Sequence, residues 1–221
     1  MKEDPDFIDN IGSNTLANAL KHFIKTKEDK VKIKNIKIAT AYFSPAGFFK
    51  IASIFKGVPE VKILLGTDPL DEKEKWKKKL GESEDKFIAK KFRDNLKKQE
   101  DNLRQERDNV PFSRDSYNQL KIFVELLKEG KIEVKRYEIN FLHAKAYIFN
   151  HDHSISENCL DALIAGSSNL TGSGLASNLE LNLAKFDKNT LIKANQWFDY
   201  IWEQSTFFDL ASFFEEIFEP K

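Results

Sequence analysis

The chain of 221 residues is 41% hydrophobic, which supplies enough apolar side chains for a folded core and argues against disorder. Its 35 basic and 35 acidic residues give a formal net charge of zero, so no overall field marks nucleic acid, a membrane or an acidic substrate as the partner. The single cysteine, Cys159, excludes an internal disulfide, and no signal peptide or membrane-spanning run is recognisable, so we expect a cytoplasmic protein without a membrane partner.

The first elements alternate between helix and strand. Residues 14–26 place Leu16, Leu20 and Phe23 at helical spacing, and residues 32–44 follow as a strand rich in β-branched side chains. A helix that opens with Pro45 and a short apolar strand at 61–66 come next. This alternation favours parallel pairing, so we predict an α/β fold with a mixed, largely parallel central sheet flanked by helices on both faces.

A charged segment from about 71 to 110 interrupts this pattern. Between Asp71 and Asp108 it contains 13 basic and 11 acidic residues with sparse apolar positions, which predicts one or two long solvated helices inserted into the domain. A solvated helical face and an arm that contacts nucleic acid are both compatible with this composition.

The second half of the chain predicts a helix, four strands and a helical tail. The helix covers 117–130 and ends at Gly130, the strands cover 131–138, 142–150, 161–169 and 179–186, and the tail covers 194–218. The tail is aromatic, and its rings are expected in the core, with an oligomer surface as the alternative; they are Trp197, Phe198, Trp202, Phe207 and Phe208. No internal repeat or linker is found, so residues 1–221 are interpreted as a single domain.

A histidine and a lysine stand two residues apart in the predicted strand at 142–150. Because strand side chains alternate with a period of two, His143 and Lys145 lie on one face and can point into one pocket. The next strand ends in residues 166–169, Gly-Ser-Ser-Asn, a sequence that suits a backbone approaching an oxyanion closely. Glu180 follows in a strand otherwise made of leucines, where a carboxylate needs a partner that His143 could supply.

At these positions the sequence resembles the phospholipase D superfamily. Its signature is a histidine, any residue, a lysine, four residues and an aspartate, followed by a glycine-serine pair and an asparagine. The matching residues here are His143, Lys145, Gly166, Ser167 and Asn169, and Glu180 matches a downstream carboxylate that orients the histidine in bacterial nucleases of the superfamily. Residues 39–48 and 61–66 also resemble the start of the phospholipase D-like domains found in bacterial restriction and helicase-associated proteins.

The sequence departs from the signature at two places. Asn150 replaces the aspartate expected seven residues after the histidine, and an insert near 151–160 lengthens the spacing to Gly166. The resemblance implies that the residue at position 150 supports the motif structurally and does not attack the substrate, so these departures bear on activity without excluding it.

The resemblance implies a mechanism that needs neither a metal nor another cofactor. His143 would attack phosphorus and form a phosphohistidine, and a second histidine would protonate the leaving group. Lys145 and Asn169 would hold the non-bridging oxygens, with Ser167 and Ser168 beside them in the substrate-binding loop. Glu180 would orient the imidazole, as the acid of a catalytic triad does.

The chain contains one such motif where an active site needs two. His22 lacks the companion residues, so the second half-site is expected from another copy in a homodimer. His151 and His153 could be metal ligands together with His143, but a solvated loop is the simpler interpretation of this segment.

Three classes of function follow from these observations. The first is a phosphodiesterase acting on nucleic acid, a DNA nuclease of restriction or repair, with a helicase or ATPase region outside this chain. The second is a catalytically silent module for nucleic-acid binding or dimerisation. The third is a phospholipid-directed enzyme, which the lack of a membrane-seeking stretch disfavours.

Overall fold

The computed structural model describes residues 4–24, 33–49, 51–67, 83–109, 113–154 and 161–215. Its strands are β1 (Phe7–Ile8), β2 (Ile33–Thr40), β3 (Val61–Leu65), β4 (Ile132–Arg136), β5 (Lys145–His151), β6 (Ala162–Gly166), β7 (Asn182–Lys185) and β8 (Thr206–Phe207). Its helices are α1 (Leu16–Ile24), α2 (Pro45–Phe49), α3 (Glu84–Asp108), α4 (Arg114–Lys128), α5 (Gly172–Ala176), α6 (Lys188–Glu203) and α7 (Leu210–Glu215), with a short 3-10 helix at Ala52–Gly57.

The strands form one mixed sheet in the order β1-β7-β6-β5-β2-β3-β4-β8. The mixed sheet is as predicted, but its expected largely parallel character is wrong. Among the described strands, β2 with β3 and β3 with β4 are parallel, and the other pairings are antiparallel. Helices carry the chain back between β2, β3 and β4, whereas β4 leads to β5 without a helix, so β5 must reverse direction.

Helices cover both faces of the sheet, as the sequence predicts. In β5, Tyr147 and Phe149 belong to one apolar cluster, whereas Ala146 and Ile148 belong to a second cluster on the opposite face. The first cluster receives α1, α2, α4, α5 and α7, and the second receives α6. Both faces of the central strands are therefore buried, which explains their nearly continuous apolar sequence.

Two of the predicted helices are divided into shorter elements in the structure. The helix at 45–56 is divided into α2 and the 3-10 helix, and the predicted tail helix is divided by β8 into α6 and α7. The strands β1 and β8, which pair at the two sides of the sheet, have two residues each and leave no periodic signal in the sequence. Of the tail aromatics, Phe198 and Trp202 are buried as expected, but Trp197 and Phe207 are exposed.

Part of the charged insertion is a single long helix. The structure describes α3, whereas residues 71–82 lie outside the described residues, so the expectation for them stays a prediction. The prediction of a solvated helix is wrong at three positions of α3, because Phe87, Phe92 and Leu103 are buried. No helix in the described ranges has both the length and the apolar character needed to cross a membrane.

The two ends of the sheet are distinguished by the register of its central strands. Thr40, the last residue of β2, pairs with Lys145, the first residue of β5, and Gly166 at the end of β6 pairs with Asn182 at the start of β7. We call this end of the sheet the site end. The far end is the opposite one, where Ile33 of β2 pairs with His151 of β5.

Candidate active site

The segment between β4 and β5, residues 137–144, crosses the site end of the sheet. The N–H of Thr67 donates a hydrogen bond to the carbonyl of Leu142 over 3.1 Å. A Cβ atom on Gly66 would overlap the same carbonyl oxygen, so the crossing needs glycine there. These contacts hold Leu142 close to β3 and thereby set the position of the next residue, His143.

His143 and Lys145 lie side by side at the start of β5. The Lys145 Nζ is 2.9 Å from Nε2 and 3.2 Å from Nδ1 of His143, so the ammonium group lies against the imidazole ring. His143 is exposed and Lys145 is half-buried. A phosphate oxygen bound to Lys145 would therefore bring its phosphorus close to a ring nitrogen of His143.

Asn169 is held next to this pair by the end of β2. Its Oδ1 accepts a hydrogen bond from the N–H of Tyr42 (3.1 Å) and lies 3.4 Å from the Thr40 hydroxyl. The same hydroxyl accepts from the N–H of Leu170 (3.0 Å) and so ties the loop after β6 to β2. Since Oδ1 is engaged in this way, the amide Nδ2 of Asn169 is the group left to donate to a bound anion.

The two serines of the predicted binding loop have different environments. Ser167 is exposed, and its hydroxyl donates to Glu180 and accepts from the N–H of Leu181 (3.0 Å). Ser168 is fully buried, and its hydroxyl accepts from Nδ2 of Asn182 over 2.8 Å. This geometry gives the Ser168 side chain a structural role, while Ser167 remains accessible to a substrate.

The sequence predicts that Gly166 lets the backbone approach an oxyanion closely, whereas in the structure its close contact is with another segment of the chain. A Cβ on Gly166 would overlap the backbone of Leu181 and Asn182 in the neighbouring chain segment. Gly166 therefore allows β6 and the start of β7 to approach each other closely, which places the Ser167 hydroxyl next to Glu180.

Glu180 lies on the side of the sheet that carries Lys145 and Tyr147. Burial raises the pKa of Tyr147, and the charge of Glu180 raises it further, so the tyrosine stays protonated. Its hydroxyl donates to the carbonyl of Ser168 over 3.0 Å. The carboxylate of Glu180 is thus close to the site end and is oriented by Ser167.

Asn150 lies at the other end of β5, five residues or about 16 Å along the strand from Lys145. Its Nδ2 donates to Asn35 (2.7 Å) and to Asn195 (3.0 Å), and Nδ2 of Asn195 donates back over 2.9 Å. These bonds join β2, β5 and α6. The residue that departs from the family signature therefore has no contact with the candidate active site.

The other histidines also lie towards the far end. His151 is the last residue of β5 and only 5% exposed, so its assignment to a solvated loop is wrong, while His153 after it is exposed. The Nε2 of His151 lies 3.3 Å from the carbonyl of Phe23, the residue next to His22. His151 and His143 are thus too far apart to share a metal ion, and the described residues contain no cluster of metal-ligating side chains.

Sequence reasoning missed three residues that build the site, namely Thr40, Gly66 and Gln99. The side chain of Gln99 in α3 donates to the carbonyls of Ala41 (3.1 Å) and Gly66 (2.8 Å), the residues that directly follow β2 and β3. Thr40 and Gly66 could have been identified from the sequence, because each stands directly after the apolar residues of a predicted strand. Nothing in the sequence indicates the partner of Gln99, because the contact is between distant segments.

The site end thus combines an imidazole, an ammonium group, an amide donor and a carboxylate, which are the groups expected of a phosphodiesterase of the histidine–lysine type. A family model described as cardiolipin synthase, PLD-like domain, matches residues 29–202. The chain therefore belongs to this family of phospholipase D-like domains, within a superfamily of phosphodiesterases. No curated protein matches the chain significantly.

Solved structures share the fold at low identity. NucT from Helicobacter pylori is 15% identical, with a TM-score of 0.45 over 87% of this chain and 91% of NucT. The phospholipase D family member Nuc from Salmonella typhimurium is 13% identical, with a TM-score of 0.40 over 79% and 82% of the two chains. Phosphatidylserine synthase from Haemophilus influenzae is 16% identical, with a TM-score of 0.50 over 95% of this chain but 40% of the synthase. These likenesses concern the fold alone.

Proposed function

We propose that the protein is a metal-independent phosphodiesterase that cleaves nucleic acid, with DNA as the expected substrate and restriction or repair as the expected context. The adjacency of His143, Lys145 and Asn169 at one end of the sheet, in a chain of the phospholipase D-like family, carries this proposal. A cytoplasmic location and a helicase or ATPase region outside this chain are part of the same proposal.

The reaction would proceed in two displacements. A ring nitrogen of His143 attacks phosphorus, a P–N bond forms, and the P–O bond to the leaving group breaks as a second imidazole protonates the departing oxygen. The second imidazole then takes a proton from water, which attacks the phosphohistidine and releases His143. Lys145 and Asn169 hold the non-bridging oxygens, each contributing about 3 kcal/mol by analogy with oxyanion holes.

In this proposal the second imidazole comes from another copy of the chain, because His143 is the one histidine of this sequence that lies at the site end. The sequence has four histidines, and all of them lie in the described residues. His151 and His153 lie at or beyond the end of β5 opposite to His143, and His22 is paired with Asp4 over 2.7 Å. A two-fold dimer brings His143 of each copy to the symmetry axis, which supplies both imidazoles from one motif.

Exposed apolar side chains next to the site end support self-association. Leu181 and Leu183 point to one face of β7, are 53% and 49% exposed, and flank the buried Asn182. Phe7 pairs with Leu183 from β1 and is 50% exposed. Such a contiguous patch beside a polar site is typical of an interface and supports the homodimeric arrangement.

The experiment that tests the function is hydrolysis of labelled plasmid and of a small phosphodiester by the purified protein in EDTA, with samples denatured in alkali, where the P–N bond is stable, and examined by mass spectrometry for phosphohistidine. We expect turnover in chelator and a phosphoryl group on His143. Activity that requires Mg²⁺ would overturn the histidine mechanism. Release of lipid head groups, measured in parallel, would indicate the phospholipid-directed alternative.

Assembly is tested by the same assay with mixed dimers. A dimer of wild type with His143→Ala should be inactive because each phosphate needs both histidines, and Leu181→Asp should produce monomers that have lost activity. Ile192→Asp, which replaces an exposed apolar residue of α6, is the matched control. Full activity of a monomer would exclude the shared site.

A catalytically silent module that binds nucleic acid or dimerises is the second candidate. The replacement of aspartate by Asn150 is the observation in its favour, although Asn150 contacts Asn35 and Asn195 and lies far from His143. Binding of DNA by a dimer without hydrolysis under any tested condition would establish this alternative.

A further inference from the structure

Helix α3 is divided into halves of opposite charge. After the acidic pair that opens the helix, residues 86–98 contain six basic side chains and one acidic side chain, whereas residues 99–108 contain four acidic and two basic ones. The balanced composition of the whole charged insertion therefore conceals a strongly basic half-helix.

The basic half forms a line along the exposed side of α3, which we call the basic stripe. Its members follow one another at intervals of four, three and four residues, and all are exposed; they are Lys86, Lys90, Arg93 and Lys97. Helical geometry places residues at these intervals on one face, and the stripe spans about 16 Å. Phe92 and Leu103, on another side of the helix, face the protein.

Two contacts hold the basic stripe next to the candidate active site. The ring of Phe92 packs edge-on against Phe141 at a centroid distance of 5.1 Å, and Phe141 lies two residues before His143. Gln99 then fixes α3 to the ends of β2 and β3 through the carbonyls of Ala41 and Gly66. The stripe is therefore carried by the stretch of α3 that is anchored beside the catalytic segment.

The like-charged neighbours within the basic stripe do not stabilise the helix that carries them, although Asp94 is spaced to pair with Lys90 or Lys97. Like charges at a spacing of four residues, as in Lys86 with Lys90 and Arg93 with Lys97, each cost about 0.2–0.5 kcal/mol in a helix. The second half of α3 instead has the pattern of a solvated face, with Glu100 paired with Arg104 over 3.2 Å. A polyanion bound along the stripe would offset the repulsion.

The two halves of α3 also differ in the charge that they present to a nucleic acid strand that extends from the site. Beside Tyr42, the acidic half lines a cleft with Glu100 and Glu106, where the two carboxylates outnumber the one cation, Arg136, which is paired with Glu100 over 3.6 Å. The basic half offers six cations and one carboxylate, that of Asp94. A nucleic acid that extends from the site end is therefore attracted along the basic stripe.

We infer that the basic stripe of α3 binds the phosphate backbone of a nucleic acid strand whose scissile phosphate lies at His143. This inference rests on the proposed function and adds to it the surface that holds the substrate outside the active site. A span of about 16 Å corresponds to about five phosphates at the 3.4 Å rise of a B-form strand.

The test compares two double variants that lose the same charge on a helix. Lys90→Gln with Arg93→Gln removes half of the stripe, and Lys188→Gln with Lys193→Gln removes two exposed lysines of α6. Glutamine keeps helix propensity. All proteins carry His143→Ala so that the substrate is not consumed, and their affinity for fluorescent oligonucleotides of 4 to about 20 nucleotides is measured by anisotropy over a range of salt concentrations.

We expect the stripe variant to bind long oligonucleotides about 10-fold more weakly, and the slope of log K against log salt to fall by about 1.4 for two lost phosphate contacts. The shortest oligonucleotides, which cannot reach the stripe, should show a much smaller difference, and the α6 variant should match the parent protein. Equal affinities of the two double variants at every length would overturn the inference.

Hydrolysis of a small phosphodiester by the protein with His143 intact separates this inference from the proposed function. Hydrolysis together with equal oligonucleotide affinities rejects the stripe and leaves the phosphodiesterase. No hydrolysis, combined with stripe-dependent binding, rejects the catalytic function and leaves the stripe as a binding surface of a silent module.

Discussion

The two ends of strand β5 carry similar side chains but differ in how these are used. A histidine stands two residues before the strand and another is its last residue, and each end has a carboxylate just before a neighbouring strand. At the site end they are His143 and Glu180, and at the far end they are His151 and Asp161. His143 is exposed, whereas His151 is buried.

The two ends of β5 also differ in how the asparagine side chains around them use their hydrogen-bonding groups. At the far end Asn35, Asn150 and Asn195 satisfy one another across two strands and a helix. At the site end, Asn169 is bound through its oxygen, which leaves the amide donor for a ligand. Buried polar groups that satisfy one another stabilise a fold, whereas oriented groups with capacity to spare bind substrates.

Replacement of the two histidines is the strongest test of this comparison. His143→Ala should lower turnover by at least about 10³-fold, because the attacking atom is lost, and should leave the free energy of unfolding nearly unchanged. His151→Ala should instead lower the free energy of unfolding by about 1–3 kcal/mol while the folded protein keeps its activity. Hydrolysis assays and urea unfolding of both variants check these outcomes.

The crossing of the site end by residues 137–144 gives the next test. Gly66→Ala places a Cβ against the Leu142 carbonyl, so Leu142 and His143 must move, and we expect turnover to fall about 100-fold or more. Gly57→Ala is the matched control, because a Cβ there meets nothing within 4 Å. Equal activities of the two variants would show that the position of His143 does not depend on this crossing.

The carboxylate of the site end can be tested without a change in volume. Glu180→Gln should lower turnover by about 10²- to 10⁴-fold, because the amide cannot stabilise an imidazolium, with little effect on unfolding. Ser167→Ala, which removes the hydroxyl that orients Glu180, should have a smaller effect. A Glu180→Gln protein with full activity at neutral pH would show that this residue is structural.

The sequence predicted the parts of this molecule that depend on local pattern. The period of two put His143 and Lys145 on one face, and the apolar periodicity located α1, α4 and the six longer strands. The direction of β5 was missed because it depends on a helix-free crossing. The roles of Thr40, Gly66 and Gln99 were missed because each residue contacts a segment that is distant in sequence.

The smallest effect is expected at the far end, at Asp161. Partial burial alone would raise the pKa of this carboxyl group, but the hydrogen bonds of His153 and of the His151 N–H outweigh it and lower the pKa to about 2. The Nδ1 of His151 is 3.6 Å from Oδ1, which is too far for a hydrogen bond, so its ring contributes less.

Because the pKa is lower in the folded than in the unfolded state, the carboxylate stabilises the fold above about pH 4, and this contribution is lost as the pH falls towards 2. For a partly exposed group we expect about 1 kcal/mol. Asp161→Asn should therefore be less stable than wild type at pH 7 by this amount, and most of the difference should be lost by pH 2. Urea unfolding at several pH values measures it, with His153→Gln as the background in which the loss should shrink. An unchanged difference between pH 7 and pH 2 would mean that Asp161 acts by packing and not by charge.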